Sequence, residues 1–455
     1  MKILYATMQL GRGYGQGTER YLSILAAGMR RRGHETVCIA GDPERRGPEL
    51  ALGKVVEREP LVLAYPTRGW MSVMGTPPEE LTAVLRGRRP DVVHLANPAH
   101  IGVGLICAAR SLRIPVVVTI MDYWWLCPKH TLEHYQGRIC DGRVAWRECV
   151  RCIAAGHSRG WLRSLAHMPI LRAALLPPTL FLGAVMKGLP VREVRRWTHR
   201  QAILNDALNG ADAVIFPSRT GRKLLEPRLA GPECHSIPYG LEQRWFDSER
   251  SQSARAGRRG GHQGRRDPAR ITVGYAGALA EHKGVHVFLE ALAALEWNAT
   301  RVRIAGGGPP KYVTYLKHLA AGLNVEFVGR LNREQMPAFL SELDLLVAPS
   351  LWPENLPIVV LEAQALGVPV LGSRVGGIAE MLSGLDHLFE PNSKDSLAER
   401  LAAWCSEAVP PATAKVSTAD EMTARTLNVY ERVVAGRDGS AQERRAPAVA
   451  PGLDA

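Results

Sequence analysis

Two glutamates, Glu354 and Glu362, stand eight positions apart in the segment SLWPENLPIVVLEAQALGVPVLGSRVGGIAEML, Ser350 to Leu382. The residues between and after them otherwise read as core. A carboxylate in such a setting is costly without partners. The pair is therefore either chemical machinery, or a capping acid and a buried acid satisfied by backbone. Pro357 fits the first helical position and Gly367 the left-handed residue just past a helix end, so the spacing predicts a helix over 357–366. Its N-terminus is a ready anion site. Glu354 falls just outside that terminus and Glu362 roughly 7.5 Å along the axis. A diphosphate resting there would separate two polar targets. One carboxylate could then hold the hydroxyls of one sugar, and the other those of a second.

Such a site needs a scaffold, and the chain supplies two repeats of one pattern. At 455 residues it is too long for one ordinary core. In the first half, strand-like runs (KILYAT, ETVCIAG, DVVHLAN, PVVVTIM, DAVIFPS) alternate with helical stretches such as TERYLSILAAGMRRRGH and IGVGLICAARSLR. Continuous Val/Ile runs between helices imply a parallel sheet covered on both faces. A second series follows from RITVGYAG through RVRIAGG, VEFVGR and LLVAPS to PVLGS. The expected fold class is α/β, two Rossmann-like domains facing across a cleft that takes ligands at the carboxyl ends of both sheets. The expected divisions are an N-terminal domain over 1–240, a flexible basic linker over 241–270 and a C-terminal domain over 271–410. A terminal helix over 411–436 and a disordered tail over 437–455 complete the chain.

A net charge of +13 and a pI near 9.6 favour an anionic partner. No nucleic-acid module accompanies the charge, so nucleic acid is not expected. The N-terminus, MKILYATMQLGRGYG, reads as a strand entering a glycine loop and not as a signal peptide. No apolar run reaches the length of a membrane span. A cytoplasmic location follows, with attachment to the inner face of a membrane as an option. Eight cysteines there suggest buried thiols or metal ligands more than a disulfide framework.

The segment from Ser350 to Glu380 resembles the nucleotide-sugar signature of retaining glycosyltransferases of family 4, which have the GT-B fold. The shared pattern is Glu, seven residues, Glu, then Gly376-Gly377 and a weaker match at Glu380. GALAEHKGVHVFLEAL, VRIAGGGP, VEFVGRL and the N-terminal GTERYLSILAAGMRRRGHE match further segments in order, so the resemblance spans most of both domains. It implies transfer of a sugar from a nucleotide-sugar donor, UDP- or GDP-sugar foremost, to an acceptor hydroxyl. By that resemblance Glu362 would bind the donor ribose and Glu354 the transferred sugar. Backbone amides around Asn355, Leu356 and Ile358 would cradle the diphosphate, Lys283 would neutralise it, and Gly329 with Arg330 would lie near the base. Gly17 would let the first strand-to-helix turn approach the phosphates.

Retention without an obvious nucleophile implies a front-face mechanism. No Asp-x-Asp occurs, so no catalytic divalent metal is expected. Two positions depart from the family pattern: Ala278 stands where Arg is common, and Met121 where His is common, beside Asp122, which is either a catalytic participant or a turn residue.

Cys127, Cys140, Cys149 and Cys152 follow the DYW segment, as in a subset of similar enzymes. The last two form Cys-x-x-Cys, so a structural metal is expected, zinc before iron–sulfur. His130 and His134 are rival ligands expected on the surface. From His157 to Arg200, apolar residues interleave with cations and Glu193 is the one acid. That stretch suits either an anionic membrane surface, with a lipid-linked acceptor, or a helical insertion packed on the first domain. The acceptor is otherwise a saccharide or another hydroxyl compound in polysaccharide, glycolipid or other glycoconjugate synthesis. Three rival functions stand beside transfer: a two-carboxylate carbohydrate hydrolase, a GT-B-fold sugar-nucleotide epimerase, and an inactive sugar-nucleotide-binding scaffold.

Overall fold

The computed structural model of the chain describes residues 1–9, 17–41, 55–58, 61–65, 73–99, 101–143, 145–156, 164, 196–247, 266–382, 384–406 and 416–439. The N-terminal sheet has eight strands. They are β1 (Lys2–Gln9), β2 (Glu35–Gly41), β3 (Val55–Arg58), β4 (Leu61–Tyr65), β5 (Val92–Leu95), β6 (Val116–Thr119), β7 (Ala213–Phe216) and β8 (Glu233–Ser236). Their spatial order is β3-β4-β2-β1-β5-β6-β7-β8. All pairings are parallel except β3 with β4, an edge hairpin that the sequence pattern did not reveal. The inner strands β5, β6 and β7 are buried at every position, which explains their unbroken Val/Ile runs. The first helix, α1 (Gly17–Arg31), follows β1.

After β8 the chain pairs a two-residue strand, β9 (Gly240–Leu241), and enters the second sheet. Its strands are β10 (Thr272–Ala276), β11 (Arg301–Ala305), β12 (Val325–Gly329), β13 (Leu345–Ala348), β14 (Val370–Ser373) and β15 (Leu388–Phe389), all parallel. The order β12-β11-β10-β13-β14-β15 reverses between β10 and β13. The crevice outside the carboxyl ends of those two strands is where a doubly wound sheet takes its ligand.

The chain crosses between domains a second time at β16 (Ser417–Thr418), which pairs with β9. The helix Ala419–Gly439 then returns to the first domain against α1. The approach is close enough that a side-chain carbon on Gly28 would sit 2.4 Å from Oγ1 of Thr423. Tyr430 bonds Nδ1 of buried His94, whose Nε2 lies 2.7 Å from Thr119 Oγ1. Burial pushes His94 down to about 3, so the ring is neutral. One apolar cluster runs from Tyr21 and Tyr239 in the first domain to Leu356 and Val360 in the second.

Three boundaries differ from expectation. The terminal helix starts at Ala419, not 411, and ends at Gly439, because residues 417–418 are used as a strand. Residues 241–247 are not linker: Trp245 is fully buried in a short helix, Arg244–Asp247. Pro268–Arg270 forms a 3-10 turn. The Gly/Ser-rich middle of the linker, the bulk of the basic segment after His157, and the tail beyond 439 lie outside the described residues. Among the described residues no helix is long and apolar enough to cross a membrane.

Candidate active site

Lys283 and Glu354 meet at the reversal point of the second sheet. Lys283 closes a 3-10 turn, Glu281–Lys283, after β10, and Glu354 lies in the loop after β13. Gly284 brings the two loops together: at φ 68°, a side-chain carbon there would lie 1.9 Å from the Pro349 carbonyl oxygen. Lys283 Nζ reaches Glu354 Oε1 at 2.5 Å and lies 4.8 Å from the centroid of the Trp352 ring. Ser350 Oγ and Trp352 Nε1 donate to the same oxygen, each at 2.8 Å. Burial opposes ionisation of Glu354, but Lys283 and the two neutral donors outweigh it and hold the carboxyl below its ordinary value. The result is a preformed, charged pocket wall within one domain.

The adjoining helix runs Ile358–Ala365, shorter than expected at both ends. Pro357 is its N-cap in extended backbone, not its first helical residue, since ψ is 116°. Gly367, at φ 68°, ends it as read. Its N–H donates to the Gln364 carbonyl at 3.0 Å, and Val368 N–H to Ala363 at 2.8 Å. Among the described residues, the backbone N–H groups of Asn355, Leu356 and Ile358 have no acceptor, as an anion site requires. Gly17, the first residue of α1, comes close: a side-chain carbon on it would stand 3.7 Å from Ile358 Cδ1. The two helix starts therefore converge on one spot. Gly376 and Gly377 press on the Glu354–Asn355 backbone, and Gly377 N–H donates to the Glu354 carbonyl at 2.6 Å.

Glu362 is 2% exposed. Its Oε1 accepts from Arg20 of α1, a cation that sequence reading missed. The only signal was the Glu-Arg pair in GTERY, whose pairing with a residue hundreds of positions away no local pattern reveals.

The side chains around this spot have partners of their own. The Asn355 side chain bolts the domains: Nδ2 donates to the carbonyls of Ile120 (2.7 Å) and Met121 (3.1 Å), while Ser218 Oγ bonds Oδ1. Glu380 caps the first-domain helix Arg219–Leu225, accepting from the N–H groups of Arg219 and Thr220 at 2.9 Å each. Met121 is buried and accepts at sulfur from Tyr239. Asp122, after β6, accepts from Trp124 N–H (2.8 Å), Asn97 Nδ2 (3.2 Å) and His130 (2.9 Å). Burial opposes its ionisation, yet His130, the Trp124 N–H and the Arg200 charge hold it below the usual range. Gly329 turns at φ 81° off β12, and Arg330 is exposed beside Gly307. Ala278 is exposed and its carbonyl accepts from Tyr275 at 2.7 Å.

The four cysteines lie near one another, Cys149 and Cys152 on the helix Trp146–Ala155, and none is in a disulfide. Burial first, then the neighbouring thiols, push Cys149 up to about 12 and Cys152 up to about 11. The donor chemistry suits zinc, yet among the described residues no group of three or more Cys, His, Asp or Glu is arranged to hold a metal ion. The histidines are not rivals. His130 binds Asp122, and His134 is buried, not exposed, with Nε2 3.4 Å from Glu148.

Comparison with known proteins fits this construction. Residues 15–155 match the family model described as Glycosyltransferase Family 4, and residues 262–419 match Glycosyl transferases group 1. Both matches are to glycosyltransferase families, and the two α/β domains form a GT-B fold. It is 24% identical to a GDP-mannose-dependent alpha-mannosyltransferase of Corynebacterium glutamicum, over 78% of this chain and 68% of the relative. It is 27% identical to a protein of the same name from Mycobacterium tuberculosis, over 78% and 74%. Anabaena HepE, solved in complex with UDP, superposes with a TM-score of 0.58 at 18% identity, covering 97% of this chain and all of that one.

Proposed function

We propose that the protein transfers a sugar from a nucleotide-sugar donor, a GDP- or UDP-sugar, to an acceptor hydroxyl with retention of configuration. The observation that carries this is the Lys283–Glu354 pair beside the unpaired amides of Asn355, Leu356 and Ile358, at the reversal point of the donor-side sheet. The diphosphate would rest on those amides, with Gly17 opposite and Lys283 against its charge. Glu354 would accept hydroxyls of the transferred sugar, Glu362 those of the ribose, and Gly329 with Arg330 would flank the base. The bond from the anomeric carbon to the diphosphate breaks as a bond to the acceptor oxygen forms on the same face. The acceptor proton passes to the departing diphosphate. The protein's part is positioning and stabilisation of charge on the leaving group. Asp122 would orient the acceptor side through its network with Asn97 and His130.

A melting screen against UDP-, GDP-, ADP- and dTDP-sugars tests the donor: a shift is expected that disappears in Glu362→Ala. Product anomers resolved by NMR test retention, and an inverted product defeats it. Release of nucleoside diphosphate that needs no acceptor would favour the hydrolase reading instead, and an epimeric nucleotide sugar formed without acceptor the epimerase reading. The relatives' names favour GDP-mannose as the first donor to try.

Two attachments belong to the same proposal. The four thiols would hold one structural zinc after rearrangement of their side chains. Equal zinc in wild type and a Cys149→Ser/Cys152→Ser variant removes that assignment. The basic segment after His157 would meet an anionic membrane carrying the acceptor. Cosedimentation with vesicles containing phosphatidylglycerol, but not with neutral ones, is the expected result.

A further inference from the structure

The ribose-side carboxylate is held from outside its own domain. Arg20 stands one turn into α1 and donates from Nη1 to Glu362 Oε1. Its guanidinium lies 5.3 Å from the centroid of the fully buried Trp245 ring, so stacking fixes its plane. Its Nε and Nη2 are buried without a hydrogen-bond partner among the described residues, and Glu242 Oε2 is 3.9 Å from Nη2. No described residue donates to Glu362 Oε2. One oxygen is clamped and the other is offered.

We propose that Arg20 is a positioning residue for donor binding: reaching across from the first domain, it holds Glu362 by one oxygen and leaves the other for the ribose hydroxyls. Nucleotide recognition by the second domain is thereby conditional on the first domain being in place. The inference rests on the assignment of Glu362 to the nucleotide.

The charges around this carboxylate make the dependence measurable. Burial pushes Glu362 up, and Arg20 leads the cations that oppose it, ahead of Arg244 and Arg333. Glu242, 3.9 Å from Arg20, is itself paired with Arg244, at 3.2 Å, and with Arg333. Without Arg20 the acid is protonated at higher pH. A protonated acid is the poorer acceptor for a pair of hydroxyls.

GDP-mannose and UDP-glucose keep a constant diphosphate charge between roughly pH 5.5 and 8.5, since their only ordinary titrations lie outside it. Whichever binds the wild type is titrated calorimetrically into wild type, Arg20→Gln, Arg20→Lys and Glu362→Ala. Circular dichroism confirms folding at each pH. Arg20→Gln is expected to weaken binding more at the acid end of this range than near pH 8, by at most about tenfold for each unit that the acid's titration rises. Arg20→Lys, which keeps the charge, is expected to restore the wild-type pH profile. A uniform loss across the range in Arg20→Gln, or no loss, overturns the inference. Undiminished binding by Glu362→Ala overturns the nucleotide assignment beneath it, and the two failures are read from different variants.

Discussion

Glu354 and Glu362 share one short segment, but their cations come from different domains. Glu354 is met by Lys283, from the neighbouring loop of its own sheet, and by two neutral donors on its own loop. Glu362 is met by Arg20, which arrives on α1 from the other side of the cleft. Burial presses both toward the neutral form. It loses at Glu354, whose carboxyl is held low, and wins at Glu362, which is pushed up. The first neighbourhood is complete within one domain; the second is assembled between two. A pocket that must stabilise charge on a leaving group gains from being prebuilt. One that admits and releases a nucleotide gains from being dismantled when the domains part.

The comparison breaks most sharply at Lys283. Lys283→Ala removes the cation proposed to face the diphosphate and strands a buried carboxylate. The transfer rate is expected to fall by roughly two to three orders of magnitude, with donor affinity changed less. Steady-state kinetics with saturating acceptor measures both. A loss confined to donor KM would make the Lys283 pocket a binding element only.

Asn355 tests how firmly the two halves are joined. Its side chain satisfies the buried carbonyls of Ile120 and Met121 and takes the Ser218 hydroxyl. Asn355→Ala leaves these groups unpaired, at an expected cost of about 1–3 kcal/mol in urea unfolding. If unfolding is unchanged while donor affinity falls, Asn355 serves the ligand and not the joint.

Much of this was legible from local pattern. The strands of both sheets announced themselves as Val/Ile runs, and Gly367 ended its helix in the way its residue type dictates. Glu354, Glu362 and Lys283 were found through spacing and resemblance. What escaped is non-local. Arg20 looks like any helix-surface cation until the fold brings it to Glu362, and the inter-domain bonds of the Asn355 side chain and of Glu380 leave no local signal. Trp245 falls within the expected linker, yet it forms the platform under Arg20. Burial of one aromatic between two domains leaves no periodic trace.

The smallest expected effect is also the most specific to the contrast between the two acids. Because Glu354 has a folded-state pKa below its unfolded one, it contributes stability above the unfolded value, about 4.3. That contribution is lost as pH falls through the lower folded value. In Lys283→Met the ammonium is gone, and burial is opposed only by the two neutral donors, Ser350 and Trp352. The folded pKa then rises, and the carboxyl turns from a stabilising group into a neutral or destabilising one near pH 7. The stability gap between wild type and variant should therefore be widest at neutral pH, narrow as pH falls from the variant's raised pKa to the wild type's lowered one, and be smallest once the carboxyl is protonated in both. Melting followed from pH 3 to 8 measures it, on the scale of a few degrees. Glu362 gives the opposite sign: its raised folded value already subtracts stability at neutral pH, and acid relieves the cost. A Glu362→Gln variant should accordingly gain on wild type as pH rises, provided the Arg20 guanidinium finds the amide oxygen in place of the carboxylate. Parallel pH curves for the two variants would mean that the acids share one environment after all.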